Sequence, residues 1–455
     1  MKEREIFLNG IKEIHQLACK YGQNNVEIDI SKLLSKEDLE NFTSKCHIGF
    51  KEAQDLIITN LIEIELEKKK LTSQIKEHRR NREKELEKKK LFLTRVLDYR
   101  EKLIRKLADS IAWHMIAGHH YIARRLFLGE TYPSLLSEGF DTVKKVVDDL
   151  NKNTAEFALI SDLTSFIQIG DIFHRSSDGY HLIEVKSGKK NEVAETILHD
   201  LYTKKENDEK CKMYEYLDEN MLKQLERMHR QNIKAAIAID TIKNEKGFDL
   251  KTGHQVYVME SNADTGTYID VIRDLISASK TKKWGYNVID GILHIGVYRE
   301  EWVPLGKEIL SQIVKEECGK DFPLFNFMQN ISMNICEPIF LKELPEEDLF
   351  DLISGKVVIF MIINFEKLIE LFKFIGYDAG WLSTKKTHRL KEQLDASSIF
   401  IFNNQAIYIN YESMEFHIGD GIITRIIGDN LKPFNVALGF IDIINNAVNN
   451  MKNNS

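Results

Sequence analysis

Between Gly49 and Gly118 the chain runs without glycine or proline, and its apolar residues recur at helical spacing. Ile57, Leu61, Ile64, Leu71 and Ile75 advance by threes and fours, with one gap at Lys68. Leu93, Leu97, Ile104, Leu107 and Ile111 resume the stripe beyond a charged stretch, residues 76–90. The pattern predicts either one long helix or an antiparallel helical hairpin with a polar tip. Charged flanks on an apolar stripe also predict coiled-coil pairing, within the chain or with a second copy. The charge run itself reads as a solvated face rather than a nucleic-acid site.

From Ile111 the pattern changes. Residues 112–127 read as a mostly buried helix and residues 134–151 as another. Three strand-like segments follow, at 157–164, 166–173 and 180–185, the last two separated by the turn sequence SSDG. Residues 189–212 are polar and predict a helix plus an exposed loop. A helix is expected at 221–231, a buried strand at 234–240 (KAAIAID) and a further strand at 255–260. That order predicts a compact α/β unit on a mixed sheet.

Past residue 299 a second α/β region is expected. Residues 356–363 are apolar enough for a central strand. Hairpins are expected over 398–411, turning at Asn403-Asn404, and over 416–427, turning at Gly419-Asp420-Gly421. The expected organisation is a helical arm (residues 1–110), an α/β core (111–299) and a C-terminal α/β accessory domain (300–455).

A length of 455 residues fits two or three domains. The net charge of −7 excludes a generally basic nucleic-acid coat, so a polyanion would have to be met by a local basic face or through metal ions. Five widely spaced cysteines without a CxxC argue against a disulfide framework or structural zinc and fit a reducing cytoplasm. The first residues lack the apolar core of a secretory signal, and no apolar run is long enough to span a bilayer. The expectation is a cytoplasmic protein without a membrane segment. Neither a Walker A loop nor GxGxxG occurs, which argues against a nucleoside-triphosphate motor.

The candidate chemistry lies at Asp171, in an apolar strand-like segment, and at Glu184-Val185-Lys186, at the end of the next. Strand side chains alternate faces, so Glu184 and Lys186 point the same way, and Asp171 can reach that face across the SSDG turn. Two carboxylates beside an apolar sheet are costly to bury, and a divalent cation offsets that cost. Hard carboxylate oxygens suit Mg²⁺ or Mn²⁺. The plainer alternative is a structural salt-bridge cluster of Asp171 and Glu184 with Lys186 or Arg175.

The Asp171…Glu184-x-Lys186 order, with Gln224 on a following helix, resembles the PD-(D/E)xK superfamily of restriction-endonuclease-like nucleases. The resemblance covers residues 134–260 and departs from the family pattern in having Gly170-Asp171 where Pro-Asp is usual. It implies a metal-dependent nuclease with a mixed-sheet core. Asp171, Glu184 and the Val185 backbone carbonyl would hold the metal, Lys186 would be the catalytic lysine and Gln224 a site organiser. It also implies a further acid, for which Glu138, Asp141 and Asp162 all remain candidates. DNA is the expected substrate ahead of RNA.

Arg124 and Arg125, and Arg227 and Arg230 beside Gln224, are candidate phosphate contacts, with Lys189, Lys190 and His229 on the same rim. His114, His119 and His120 lack metal-site spacing and read as core or surface residues. The arm suggests a homo-oligomer or a partner protein, and the appended regions suggest, by analogy, a regulated effector of bacterial anti-phage defence. The rival expectation is a non-catalytic coiled-coil scaffold or binding protein.

Overall fold

The computed structural model describes residues 2–19, 35–137, 139–186, 191, 193–198, 218–250, 253, 255–258, 266–393, 399–412 and 414–453. The chain is mixed α/β and divides into two compact units, Met1–Tyr257 and Val258–Ser455.

The first unit opens with helices α1 (Lys2–Cys19), α2 (Lys36–Arg80) and α3 (Lys84–Met115). Ser35 caps α2 by accepting the Asp38 N–H, and Glu37 and Asp38 at its start and His78, Arg79 and Arg80 at its end suit the helix dipole. Of the two arrangements the stripe allows, the hairpin forms. The chain reverses at Asn81-Arg82-Glu83, with Arg82 in the left-handed region (φ 60°). Reversal within the charged stretch removes no apolar residue from the seam, which is buried at Ile57, Leu61, Ile64 and Leu71 of α2 and at Leu97, Ile104, Leu107 and Ile111 of α3. Leu93, expected in the stripe, is instead exposed. Lys68 bridges the two helices to Asp98 and Glu101, and Arg79 pairs with Glu87.

The helix expected over 112–127 is broken. Helix α3 ends at Met115, and Ala117 and Gly118 turn the chain with positive φ into α4 (His120–Leu126). Helix α5 (Phe140–Leu150) is followed by β1 (Phe157–Ile160), β2 (Ile172–Ser176) and β3 (Gly179–Ile183). These three strands form a sheet in the order β1-β2-β3, antiparallel throughout. The SSDG turn does separate β2 from β3. The strands predicted at 157–164 and 166–173 are shorter or displaced, because a single 3-10 turn at Ser161–Leu163 and irregular chain up to Asp171 intervene.

Two expectations for the core are corrected. Residues 234–240 are not a strand but the C-terminal part of one long helix, α6 (Glu219–Asn244), capped by Asp218 accepting the Met221 N–H. A short apolar run carries no periodicity that separates strand from helix, and its three alanines favour helix. Among the described residues every strand pairing is antiparallel, so the mixed sheet is not formed. Strands β4 (Lys246–Phe248) and β5 (Gln255–Tyr257) make a separate two-stranded ribbon.

The second unit contains α7 (Ile269–Lys282), β6 (Trp284–Ile289), β7 (Leu293–Arg299), α8 (Gly306–Cys318), β8 (Leu324–Asn326) and β9 (Val357–Ile363). The four strands form a sheet in the order β6-β7-β9-β8, with β9 inside it as its apolar sequence predicts. A boundary at 299/300 would cut this sheet, since Arg299 at the end of β7 pairs with Val357 of β9. The arm and core expected as separate pieces likewise fall in one unit, because α3 runs unbroken past residue 110.

A smaller sheet follows α9 (Phe365–Phe374) and comprises β10 (Asp378–Trp381), β11 (Ile401–Phe402), β12 (Gln405–Tyr411) and β13 (Met414–His417). The β11–β12 hairpin turns at Asn403-Asn404, both at positive φ. The hairpin expected over 416–427 is absent, because Asp420 begins a short helix, Asp420–Ile423, that runs on into a wider turn. Helix α10 (Pro433–Asn453) closes the described chain. No helix among the described residues is long and apolar enough to cross a membrane.

Candidate functional site

Asp171 sits immediately before β2, where Gly170 (φ 74°) turns the chain into the strand. Its backbone is held on both sides: the Asp171 N–H donates to the Ile183 carbonyl, and the Ser161 N–H donates to the Asp171 carbonyl, each at 2.9 Å. The side chain then reaches past the end of β3, where Asp171 Oδ2 accepts the Val185 N–H at 2.7 Å. The first carboxylate is thereby locked against the backbone of the Glu-x-Lys segment.

The strand expected over 180–185 ends at Ile183, so Glu184 and Lys186 lie just beyond β3, with Lys186 Nζ 2.9 Å from Glu184 Oε2. Lys186 Nζ also donates to Gln231 Oε1 at 3.0 Å. Gln224, expected to organise the site, instead donates its side-chain amide to Asn191. Gln231 follows it on α6 by two turns and so lies near the same helix face. The sequence carried that signal in the Gln-to-Gln spacing, but the helix had been expected to end at residue 231.

Asp162 joins this group from the 3-10 turn after β1. It lines, with Glu130, Gln168, Asp171, Glu184 and Gln231, a narrow cleft of about 180 Å³. The Asp162 carbonyl accepts from the buried Arg105 guanidinium, which also holds Glu101 and lies 4.0 Å from the Tyr132 ring centroid. Burial, then the charge of Asp171, pushes the Asp162 carboxyl up to about 6, with Arg105 opposing and Glu184 adding to the rise. Burial and then the Glu184 charge likewise raise Asp171, while the Val185 N–H and Lys186 restrain it. Asp162 and Asp171, whose ionisation is opposed by burial and by neighbouring charge, are relieved by a proton or by a cation.

The donor set is therefore one of hard oxygens, the kind that suits Mg²⁺ or Mn²⁺. Among the described residues no three His, Cys, Asp or Glu side chains form a ready metal centre. Asp171 and Glu184 each meet the bonds named here through one oxygen, and a carboxylate offers about four lone-pair sites. A cation drawing on both, with backbone and water oxygens, fits this chemistry; one held by three side chains does not. What the structure joins to Asp171 from Val185 is its N–H.

The remaining candidates scatter. Asp141 is exposed in the first turn of α5 and does not line the cleft. Glu138, Lys189 and Lys190, and most of residues 189–212, lie outside the described residues. Arg125 is paired with Asp249 at 3.1 Å, and Arg124 is exposed on α4. Arg227, His229 and Arg230 are exposed on α6, where Arg230 Nε donates to the Glu226 carbonyl. His114 is stacked on Phe50, and burial lowers its pKa; His120 meets the Trp113 ring edge-on. Sequence reasoning missed Gln231, Arg105 and Gln168, three polar residues whose roles depend on contacts far along the chain.

Comparison with protein-family models, with curated proteins and with solved structures finds no match for this chain.

Proposed function

We propose that the chain is a metal-dependent nuclease that hydrolyses phosphodiester bonds, in DNA ahead of RNA. The observation that carries this reading is the meeting of Asp162, Asp171 and Glu184 in one recessed cleft, with Lys186 bonded to two of the residues that line it, Glu184 and Gln231. Order and type of residue follow the PD-(D/E)xK pattern; the antiparallel three-stranded sheet and the helical 234–240 segment depart from the core that pattern usually sits on.

Asp171 and Glu184, with the Val185 carbonyl, would hold Mg²⁺ or Mn²⁺. When bound, such an ion supplies Lewis-acid charge next to the scissile phosphate. Lys186, kept in place by Glu184 and Gln231, sets a positive charge against the phosphate oxygens as negative charge builds there. Asp162, with a carboxyl near neutrality, is suited to take the proton of the attacking water. Water oxygen bonds to phosphorus, the P–O3′ bond breaks, and the leaving oxygen takes a proton from solvent, giving a 5′-phosphate and a 3′-hydroxyl.

The test is cleavage of plasmid, single-stranded DNA and RNA with Mg²⁺ or Mn²⁺, comparing wild type with Lys186→Ala. Cutting that needs metal and disappears in the folded variant supports the reading; equal cutting by both proteins refutes it. A non-catalytic scaffold is the second reading. It is favoured by the closed Lys186–Glu184–Gln231 network and by the absence, among the described residues, of a three-side-chain metal centre. On either reading the helical hairpin is the proposed surface for self-association or a partner.

A further inference from the structure

One wall of the acidic cleft is a strap without regular secondary structure, residues 128–135, between α4 and α5. Gln168 fixes its first part. Its Oε1 accepts the N–H groups of Leu128 and Gly129 at 2.8 Å and of Glu130 at 3.1 Å, and its Nε2 donates to the Glu130 carbonyl at 2.7 Å. The backbone N–H of Gln168 itself donates to the Leu126 carbonyl, so the glutamine is anchored where the strap begins. Glu65 of α2 fixes the other end, accepting the Ser134 hydroxyl and, at 3.0 Å, the Leu135 N–H. Between these pins Tyr132 lies over the buried Arg105, whose guanidinium holds the carbonyl of Asp162. A single serine or glutamine on a surface loop would be ordinary; here both ends and the middle are tied to helix or cleft residues.

Behind this wall the reacting groups are recessed, the side chains of Lys186 and Glu184 being 10% and 16% exposed. The cleft volume of about 180 Å³ falls below the roughly 300–1,000 Å³ of pockets that enclose a whole small-molecule ligand. It takes a phosphodiester and the edge of a sugar, not a base pair. A duplex is stiff and holds its phosphates on a regular cylinder, whereas an unpaired strand can bow one phosphate inward and turn its bases away. Tyr132 and Pro133 also line a second cleft of about 470 Å³ on the helical-hairpin side, together with Lys68, Lys69 and Arg105. That space is sized for a nucleotide flanking the one in the acidic cleft.

Resting on the nuclease reading of this site, we infer that the pinned strap makes unpaired DNA the substrate and excludes the intact duplex. Gln168 and Glu65 are the residues that set this specificity by holding the strap.

The test is the ratio of cleavage rates, with Mn²⁺, for one labelled DNA strand alone and annealed to its complement. Wild type, Gln168→Ala, Glu65→Ala and Lys186→Ala are compared, and a ratio within each protein cancels differences in the folded fraction. Wild type is expected to cut the lone strand at least about tenfold faster, the cost of unstacking a single base-pair step. In Gln168→Ala and Glu65→Ala the ratio should fall toward one as duplex cutting rises. Equal cutting of both substrates by wild type, lost in Lys186→Ala, overturns the strap inference and leaves the nuclease reading standing. A preference that persists unchanged in both strap variants also overturns it, placing the selectivity elsewhere. Cutting by wild type that Lys186→Ala retains, or no cutting of either substrate by wild type, overturns the nuclease reading and this inference with it.

Discussion

Lys186 donates to Gln231 at 3.0 Å, two helical turns beyond the glutamine that spacing alone singles out. The ammonium is thus held between a carboxylate two residues away and an amide 45 residues away, so α6 fixes the position of a group carried by the end of β3.

Gln231→Ala removes one of the two partners of Lys186, and Gln224→Ala removes none. We expect Gln231→Ala to lower kcat by about 10–100-fold, the range for losing an orienting contact, with little change in KM. Gln224→Ala should leave kcat close to wild type. A merely structural role for Gln231 would lower the melting temperature instead, so kinetics and thermal unfolding measured on the same preparations separate the two. Equal loss of kcat in both variants would return the role to Gln224.

Asp162 titrates from an ordinary value of 3.8 up to about 6, chiefly because it is buried and then because Asp171 lies nearby. Its folded form holds the proton more tightly than the unfolded chain does, so ionising it works against folding. The penalty is absent below about pH 4, grows between pH 4 and 6, and is complete above. Asp162→Asn abolishes it while keeping the backbone carbonyl that Arg105 holds. The variant should therefore be more stable than wild type at pH 7, by on the order of 1–2 kcal/mol after allowing for partial solvation, with the gain vanishing at pH 4. Denaturant unfolding at both pH values checks this. If Asp162 accepts the water proton, the same variant loses activity as it gains stability.

The meeting of Asp171 with the Glu184-Val185-Lys186 segment was legible because the SSDG turn pairs β2 with β3, although β3 ends at Ile183 and strand alternation does not reach that segment. The same holds for the Asn403-Asn404 turn, since both residues tolerate the left-handed region it needs. The hairpin in place of a single long helix was open in the sequence, because charge in residues 76–90 permits either a turn or a solvated helix. Residues 234–240 misled for a physical reason: an apolar run shorter than two turns of helix satisfies both periods. The spacing from Gln224 puts Gln231 near the same helix face without giving its partner, and the contacts of Arg105 and of the Gln168 pin could not be read at all. Each gains its role from a partner 38 to 57 residues away, and only the folded chain sets that distance.

Mn²⁺ is expected to stabilise the wild-type protein, since an ion that binds only the folded state adds about 2.7 kcal/mol at a hundredfold excess over its dissociation constant. Asp171→Asn keeps an oxygen able to accept the Val185 N–H but lacks the charge, so it should fold and fail to respond to Mn²⁺. Glu184→Gln should behave in the same way. Thermal unfolding with and without Mn²⁺ reads this out independently of any cleavage assay. A shift that survives in both variants would place the ion elsewhere, and a variant that unfolds without a change in its Mn²⁺ response would favour a structural salt-bridge cluster.

An ion pair in the packing of α3 is bonded to the segment that leads into the site. Lys106 and Asp109 lie 2.9 Å apart with side chains only 4% and 1% exposed. Asp109 accepts from both the N–H and the hydroxyl of Ser165, and Lys106 Nζ donates to the same hydroxyl at 3.1 Å. Three polar groups therefore satisfy one another and tie α3 to the segment that leads from Asp162 to Asp171. Asp109→Ala leaves the Lys106 charge buried without its carboxylate and removes the acceptor of the Ser165 N–H. Breaking one partner of such a pair costs about 3–5 kcal/mol, whereas replacing both ions with apolar residues of similar volume is often neutral. We therefore expect Asp109→Ala to be severely destabilised in urea unfolding, and Lys106→Met with Asp109→Leu to recover most of the loss. The double variant still lacks the bonds to Ser165, so any nuclease activity should remain impaired after stability returns. Recovery of both together would show that the pair stabilises the fold without positioning the cleft.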